Sequence, residues 1–91
     1  MTVSVTVPGP LRDAIDGARG VSIEASTVRD ALEELERRYP RLHRGICHET
    51  GAVRPHVGVW VGIDHIRDRD GLDTPLEHGD VITILPAVSG G

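Results

Sequence analysis

Val3, Val5 and Val7 alternate with Thr2, Ser4 and Thr6 at the start of the chain, the two-residue period of a strand with one buried face. Pro8-Gly9-Pro10 stops it. Residues 11–20 read as a connection anchored by Leu11 and Ile15, with Gly17 and Gly20 as turn formers. The alternation resumes in Val21-Ser22-Ile23-Glu24-Ala25, which predicts a second strand hairpinned to the first.

The period then changes. Thr27 stands in an N-cap position with Asp30 three residues on, the spacing of a capping box. Val28, Ala31, Leu32, Leu35 and Tyr39 form one apolar stripe, and Glu33, Glu34, Glu36 and Arg37 cover the other side. Pro40 ends this helix. Residues 40–56 read as a loop with one short helical turn, touching the core through Leu42 and Ile46. Val57, Val59 and Val61 alternate as a third strand, with Gly58 and Trp60 on the opposite face. A turn at Gly62-Ile63-Asp64-His65 leads to a brief fourth strand beginning at Ile66. Leu72 and Leu76 plug the core beneath an irregular stretch. Glu77-His78-Gly79-Asp80 is a tight turn before the last strand, Val81 to Leu85. Pro86 has no N–H to give a ladder, so the chain is expected to leave the sheet there.

Strand, strand, helix, strand, short strand, strand is an α+β order. It fits a β-grasp: a mixed sheet of four to five strands packed on one main helix. The expected division is a folded domain over 1–85 and a tail over 86–91. A chain of 91 residues suffices for one small core. With no Phe, one Trp and one Tyr, that core must be built from Val, Ile and Leu. No apolar run approaches the roughly 20 residues of a membrane helix, and residues 1–5 lack the charged leader of a secretory signal. One cysteine cannot make an internal disulfide and suits a reducing cytoplasm.

Charge is uneven along the chain. Residues 1–56 carry eight Arg and eight Asp/Glu; residues 57–91 carry two Arg and six Asp/Glu, so the net −4 lies in the second half. That is either a solvated acidic surface or a field steering the chain toward a basic partner. No Arg cluster interleaves with aromatics, which argues against nucleic-acid binding. The ten basic residues are all Arg; with no Lys, no side-chain amine exists here to receive an isopeptide bond.

The candidate chemistry lies at the tail, Pro86-Ala87-Val88-Ser89-Gly90-Gly91. With 11 glycines among 91 residues, a closing Gly-Gly pair arises by chance roughly once in a hundred such sequences. Its setting, a strand end followed by small residues only, gives the pair a use. Six extended residues reach about 20 Å and present no bulk to the walls of a narrow channel. A C-terminal carboxyl, with a pKa near ~3.5, is ionised at neutral pH and can attack the α-phosphate of ATP. The resulting acyl-adenylate can be opened by sulfur to a thiocarboxylate. No side chain in this sequence is arranged to catalyse those steps, so the chain reads as a substrate and not an enzyme.

Thr74-Pro75-Leu76-x-x-Gly79-Asp80-x-Ile82-x-Ile84-x-Pro86-Ala87-Val88-Ser89-Gly90-Gly91 resembles the C-terminal signature of the ThiS/MoaD sulfur-carrier family, and the order of elements before it is similar to that family's ubiquitin-like β-grasp. Segment 40–56 and Val57-Gly58-Val59-Trp60-Val61 resemble the CysO-like branch. The turn Gly62-Ile63-Asp64 departs from the Asn-Gly common in the family, which affects the hairpin and not the tail. The resemblance implies that Gly91 is adenylated by an ATP-dependent, ubiquitin-activating-type adenylyltransferase and then carries sulfur as a thiocarboxylate. The acceptor it implies is a biosynthetic enzyme: cysteine synthase-like, a molybdopterin synthase large subunit, or thiazole synthase-like. Pro86, Ala87, Val88, Ser89 and Gly90 would be the recognised tail. The chain itself would bind no cofactor, ATP being used by the partner. Two other roles use the same tail: a protein modifier joined to lysines through Gly91, and a non-covalent small subunit of a synthase complex.

Trp60 and Leu85 are placed on the helix-free face, where they form either a cover for sheet edges or an apolar docking patch leading to the tail. The resemblance favours docking, since ubiquitin-like proteins meet their activating enzymes with this face. Cys47 lies near His43, His48 and Glu49 without the ligand count or spacing of a metal site. A lone cysteine also excludes a four-cysteine iron–sulfur cluster.

Overall fold

A computed structural model describes residues 1–86. Five strands form one mixed sheet: β1 (Thr2–Thr6), β2 (Gly20–Glu24), β3 (Val57–Val61), β4 (Asp64–His65) and β5 (Val81–Pro86), in the order β2-β1-β5-β3-β4. β1 and β5 are parallel; every other pairing is antiparallel. Two helices, α1 (Val28–Arg38) and α2 (Pro40–Ile46), complete the fold with three short 3-10 turns.

The alternation expected of the strands is realised. Val3, Val5, Val7, Ile23, Val59, Val61, Ile82 and Ile84 are all buried on one face. Across from them, α1 buries Val28, Ala31, Leu32 and Leu35. Its start is fixed as predicted: the Thr27 side chain accepts a hydrogen bond from the Asp30 N–H at 3.1 Å, satisfying one of the donors a helix leaves open at its first turn. The first two strands pair antiparallel, Val3 with Ile23 and Val5 with Val21.

The turn before β5 ties both ends of the fold together. The Asp80 N–H donates to Glu77 O, and the Gly79 N–H reaches Thr2 O at 2.8 Å, while the Glu77 N–H donates to Asp80 Oδ2 at 2.8 Å. Gly79 has φ +89°, a conformation open to glycine and costly for other residues. Thr74, fully buried, donates through its hydroxyl to Gly71 O at 2.7 Å, and its carbonyl accepts from the Val28 N–H. The irregular stretch is thereby pinned under the start of α1, with Leu76 buried and Leu72 partly so.

Four expectations are corrected. The helical part of segment 40–56 is longer than one turn: α2 spans Pro40–Ile46 and buries Leu42, His43 and Ile46, and residues 47–56 are loop as expected. The proline that stops α1 is also the first residue of α2, where its missing N–H costs nothing. The connection read over residues 11–20 is not plain: its first part belongs to a 3-10 helix, Gly9–Ile15, braced by the Arg12 Nε donating to Val7 O at 3.0 Å. The brief fourth strand is Asp64–His65, and Ile66 opens a 3-10 turn instead; His65 Nδ1 accepts from the Arg67 N–H at 3.1 Å, which bends the chain off the sheet. β5 also takes in Pro86, which pairs with Val57. The Gly62 N–H donates to Val81 O, so pairs 62/81, 60/83 and 58/85 carry the ladder bonds and Pro86 falls at a non-bonded pair. Its nitrogen faces the β1 side, where the register ends at Thr83, so no bond is lost.

Leu35 is fully buried; Leu35→Ala is expected to lower the unfolding free energy by about 2–5 kcal/mol. Loss of the N-cap in Thr27→Ala is expected to cost about 1 kcal/mol. Urea unfolding of the two variants checks the order, and a larger cost for Thr27→Ala would contradict the packing described here.

Candidate functional site

β5 runs down the middle of the sheet, held by β1 on one side and β3 on the other. Its last residues project alternately, so the end of the strand has two distinct sides. Ile82 and Ile84 point into the core, while Val81 and Leu85, 42% and 46% exposed, lie on the helix-free face. On β3, Gly58 pairs with Leu85 and Trp60 with Thr83. The predicted patch residues Trp60 and Leu85 are thus diagonal neighbours on one face, close to where the tail departs.

Trp60 is half-buried, not fully displayed. A Cβ built at Gly58 would lie 3.2 Å from the Trp60 indole nitrogen, 3.6 Å from Leu85 O and 3.7 Å from His65 Nε2. The indole therefore lies back across the glycine, and its ring meets His65 edge-on at 5.2 Å and 73°. Glycine at 58 gives the ring room to lie flat. The exposed apolar area is carried more by Leu85 and Val81, with Ile63, 91% exposed, at the far hairpin tip. Val81 was not picked out from the sequence, although its odd-numbered register with Leu85 was the signal. Of the tail residues, Pro86 closes β5; Ala87, Val88, Ser89, Gly90 and Gly91 lie outside the described residues.

The remaining candidates are scattered. His43 is buried, with Nδ1 3.8 Å from a Glu36 carboxylate oxygen across the α1–α2 junction. His78 Nδ1 accepts from the Thr2 N–H at 3.3 Å. Cys47 is buried in the core. Burial first, and the Glu36 charge second, push its thiol from the ordinary 9.0 up to about 11, with Arg54 opposing; it is a packed thiol, not a nucleophile poised at neutral pH. Among the described residues, no group of three or more His, Cys, Asp or Glu is placed to hold a metal ion. No helix among them is long and apolar enough to cross a membrane. Of the acidic residues in the second half, Asp73 pairs with Arg29 of α1 at 3.2 Å and Asp80 is used in its turn.

A mixed sheet with its first and last strands parallel at the centre, curled over one principal helix, is the α+β architecture of the ubiquitin-like β-grasp proteins. The ThiS family pattern matches residues 5–91, and the chain belongs to that family. The sulfur carrier protein CysO of Mycobacterium tuberculosis is 32% identical over 93 residues, covering 100% of both chains, and its crystal structure superposes with a TM-score of 0.86 over 94% of this chain and 99% of that one. A chain in the crystal structure of the Amycolatopsis orientalis BexX/CysO complex is 30% identical, with a TM-score of 0.86 and coverage of 98% and 99%. The small archaeal modifier protein 3 of Haloferax volcanii is 39% identical over 66 residues, 72% of this chain and 71% of that one. The expected family, its CysO-like branch and the β-grasp fold are all borne out.

Two outcomes test this geometry. Gly58→Ala puts a methyl against the indole of the sole tryptophan, so its fluorescence emission is expected to move to longer wavelength as the ring lifts into water. An unchanged spectrum would show that Trp60 does not depend on Gly58. Because the Cys47 thiol is held up in the folded chain, the unfolded chain ionises first as pH rises. Stability from this group is full below the ordinary 9.0 and lost as pH climbs toward about 11. In unfolding measurements across that window, wild type should lose stability relative to Cys47→Ala; parallel curves would contradict the burial.

Proposed function

We propose that this chain is a sulfur carrier that works through the carboxylate of Gly91. The observation that carries the reading is the position of β5: a central strand, paired with β1 over Val81–Thr83 and with β3 as far as Pro86, is followed directly in sequence by the small-residue tail. The similarity to sulfur carrier proteins over the full chain supports it.

The Gly91 carboxylate oxygen attacks the α-phosphorus of ATP in a ubiquitin-activating-type enzyme, and pyrophosphate leaves. Hydrosulfide then attacks the acyl carbon, the acyl–oxygen bond breaks, and AMP leaves with the electron pair. The product is a thiocarboxylate, a soft nucleophile that hands its sulfur to a biosynthetic enzyme. The likeness to a chain of the BexX/CysO complex supports a partner-enzyme role; the acceptor is of the cysteine synthase, molybdopterin synthase or thiazole synthase kind. On this reading the partner supplies the acid, base and metal. The chain contributes a carboxylate on a slender arm and a surface, Trp60 and Leu85, by which the enzyme recognises the arm's root.

A second reading, conjugation of Gly91 to lysines of other proteins, is favoured by the likeness to an archaeal modifier protein. The absence of Lys rules out chains built through its own side chains, and leaves other targets open.

Intact mass after incubation with ATP, sulfide and a panel of activating enzymes tests the carrier reading. The expected result is exchange of one oxygen for sulfur, abolished by deletion of Gly90-Gly91. No exchange with any activator would sink it, and recovery of Gly91 in isopeptide linkage from cell extracts would support the modifier reading.

A further inference from the structure

Opposite Trp60 and Leu85, on the helix side of the sheet, a small cleft opens at the same strand end. Its volume is about 180 Å3. Pro8, Leu11, Gly45 of α2, Val57, Ile84 and Pro86 line it, with the exposed His56 beside them. Ile84 is otherwise a core side chain, 1% exposed. A Cβ at Gly45 would lie 2.6 Å from Leu11 Cδ2, so glycine on this helix face lets Leu11 lie down and shape the wall. A hollow of about 150 Å3 is large enough for a benzene-sized group.

We propose that this cleft receives one apolar side chain of the enzyme that adenylates Gly91. The inference rests on the reading of Gly91 as the reactive end and adds how its root is gripped. Five residues separate Pro86 from the end of the chain, and at about 3.5 Å each they span at most roughly 17 Å. An enzyme acting on the Gly91 carboxylate must therefore bring its surface within that distance of Pro86, which itself lines the cleft. The tail Ala-Val-Ser-Gly-Gly has little side chain to bury, so little affinity can come from it. Leu85 offers an anchor on one face of the strand end; the cleft offers the second on the other, and a partner using both straddles the root.

The test uses the full chain and the activating enzyme identified by the mass assay above. Pyrophosphate exchange is measured for wild type, His56→Glu, which sets a charge on the exposed rim, and Leu11→Ala, which removes a wall. Thermal unfolding verifies that both variants fold. KM is expected to rise about tenfold in both with kcat changed less than about twofold, the mark of lost docking. The Leu11, Val57 and Ile84 methyl resonances of the wild-type chain should shift when the enzyme is added. Unaltered KM in the folded His56→Glu variant, or methyls indifferent to the enzyme, would overturn the cleft while leaving the carrier reading intact. Methyl shifts on deleting residues 87–91 from the free chain would also overturn it, by showing the chain's own Val88 as occupant. Failure of wild type to be adenylated at all would instead remove the carrier reading, and this inference with it.

Discussion

The parallel pairing of β1 with β5, Val5 beside Ile82 and Thr6 beside Thr83, brings the two ends of the described chain together at the centre of the sheet. Parallel neighbours cannot be joined by a tight turn, so the chain between them must include a crossover, and α1 and α2 lie on one face of the sheet. That single placement decides which face is buried and which is bare. It also sets β5 between two partners instead of at an edge, so the strand that ends at the last described residue runs through the middle of the sheet.

A reactive chain end needs a fixed root and an unobstructed arm. β5 meets the first requirement through its ladders with β1 and β3, and Pro86 ends it without leaving a donor unpaired. The composition of residues 87–91 meets the second. Nothing in the core competes chemically: Cys47 is buried with its thiol held up to about 11, and His43 faces Glu36 in the helix junction. On the reading proposed above, the fold would present one carboxylate as a co-substrate and the catalytic groups would belong to the partner. The acidic excess of the second half is partly structural, since Asp73 holds Arg29 and Asp80 holds its own turn.

On the proposal made above, recognition is divided between the two sides of the strand end. On the bare face, Trp60 rests over Gly58 against His65 and leaves Leu85 as the more exposed apolar side chain. On the helix face, Leu11, Gly45 and Ile84 frame a cleft. An enzyme that reads both sides would fix the direction of the tail without needing bulk in the tail itself.

Much of this was legible in the chain. Alternating Val and Ile marked the strands and their inward faces, because a pleated strand repeats every two residues; Thr27 and the Val28–Leu35 stripe marked α1, because three turns suffice for a 3.6-residue period to stand out. The small-residue tail and the Gly79-Asp80 turn carried the family signature. What escaped were elements too short to show a period, such as the seven residues of α2, and the bend at Ile66, which a hydrogen bond to the His65 side chain imposes. The resting place of Trp60 and the cleft beside Pro86 escaped for a different reason. Their parts come from segments that touch only after the sheet has closed, so local sequence determined the strands, the main helix and the chemical end group, while tertiary packing alone decided what surrounds the root of the tail.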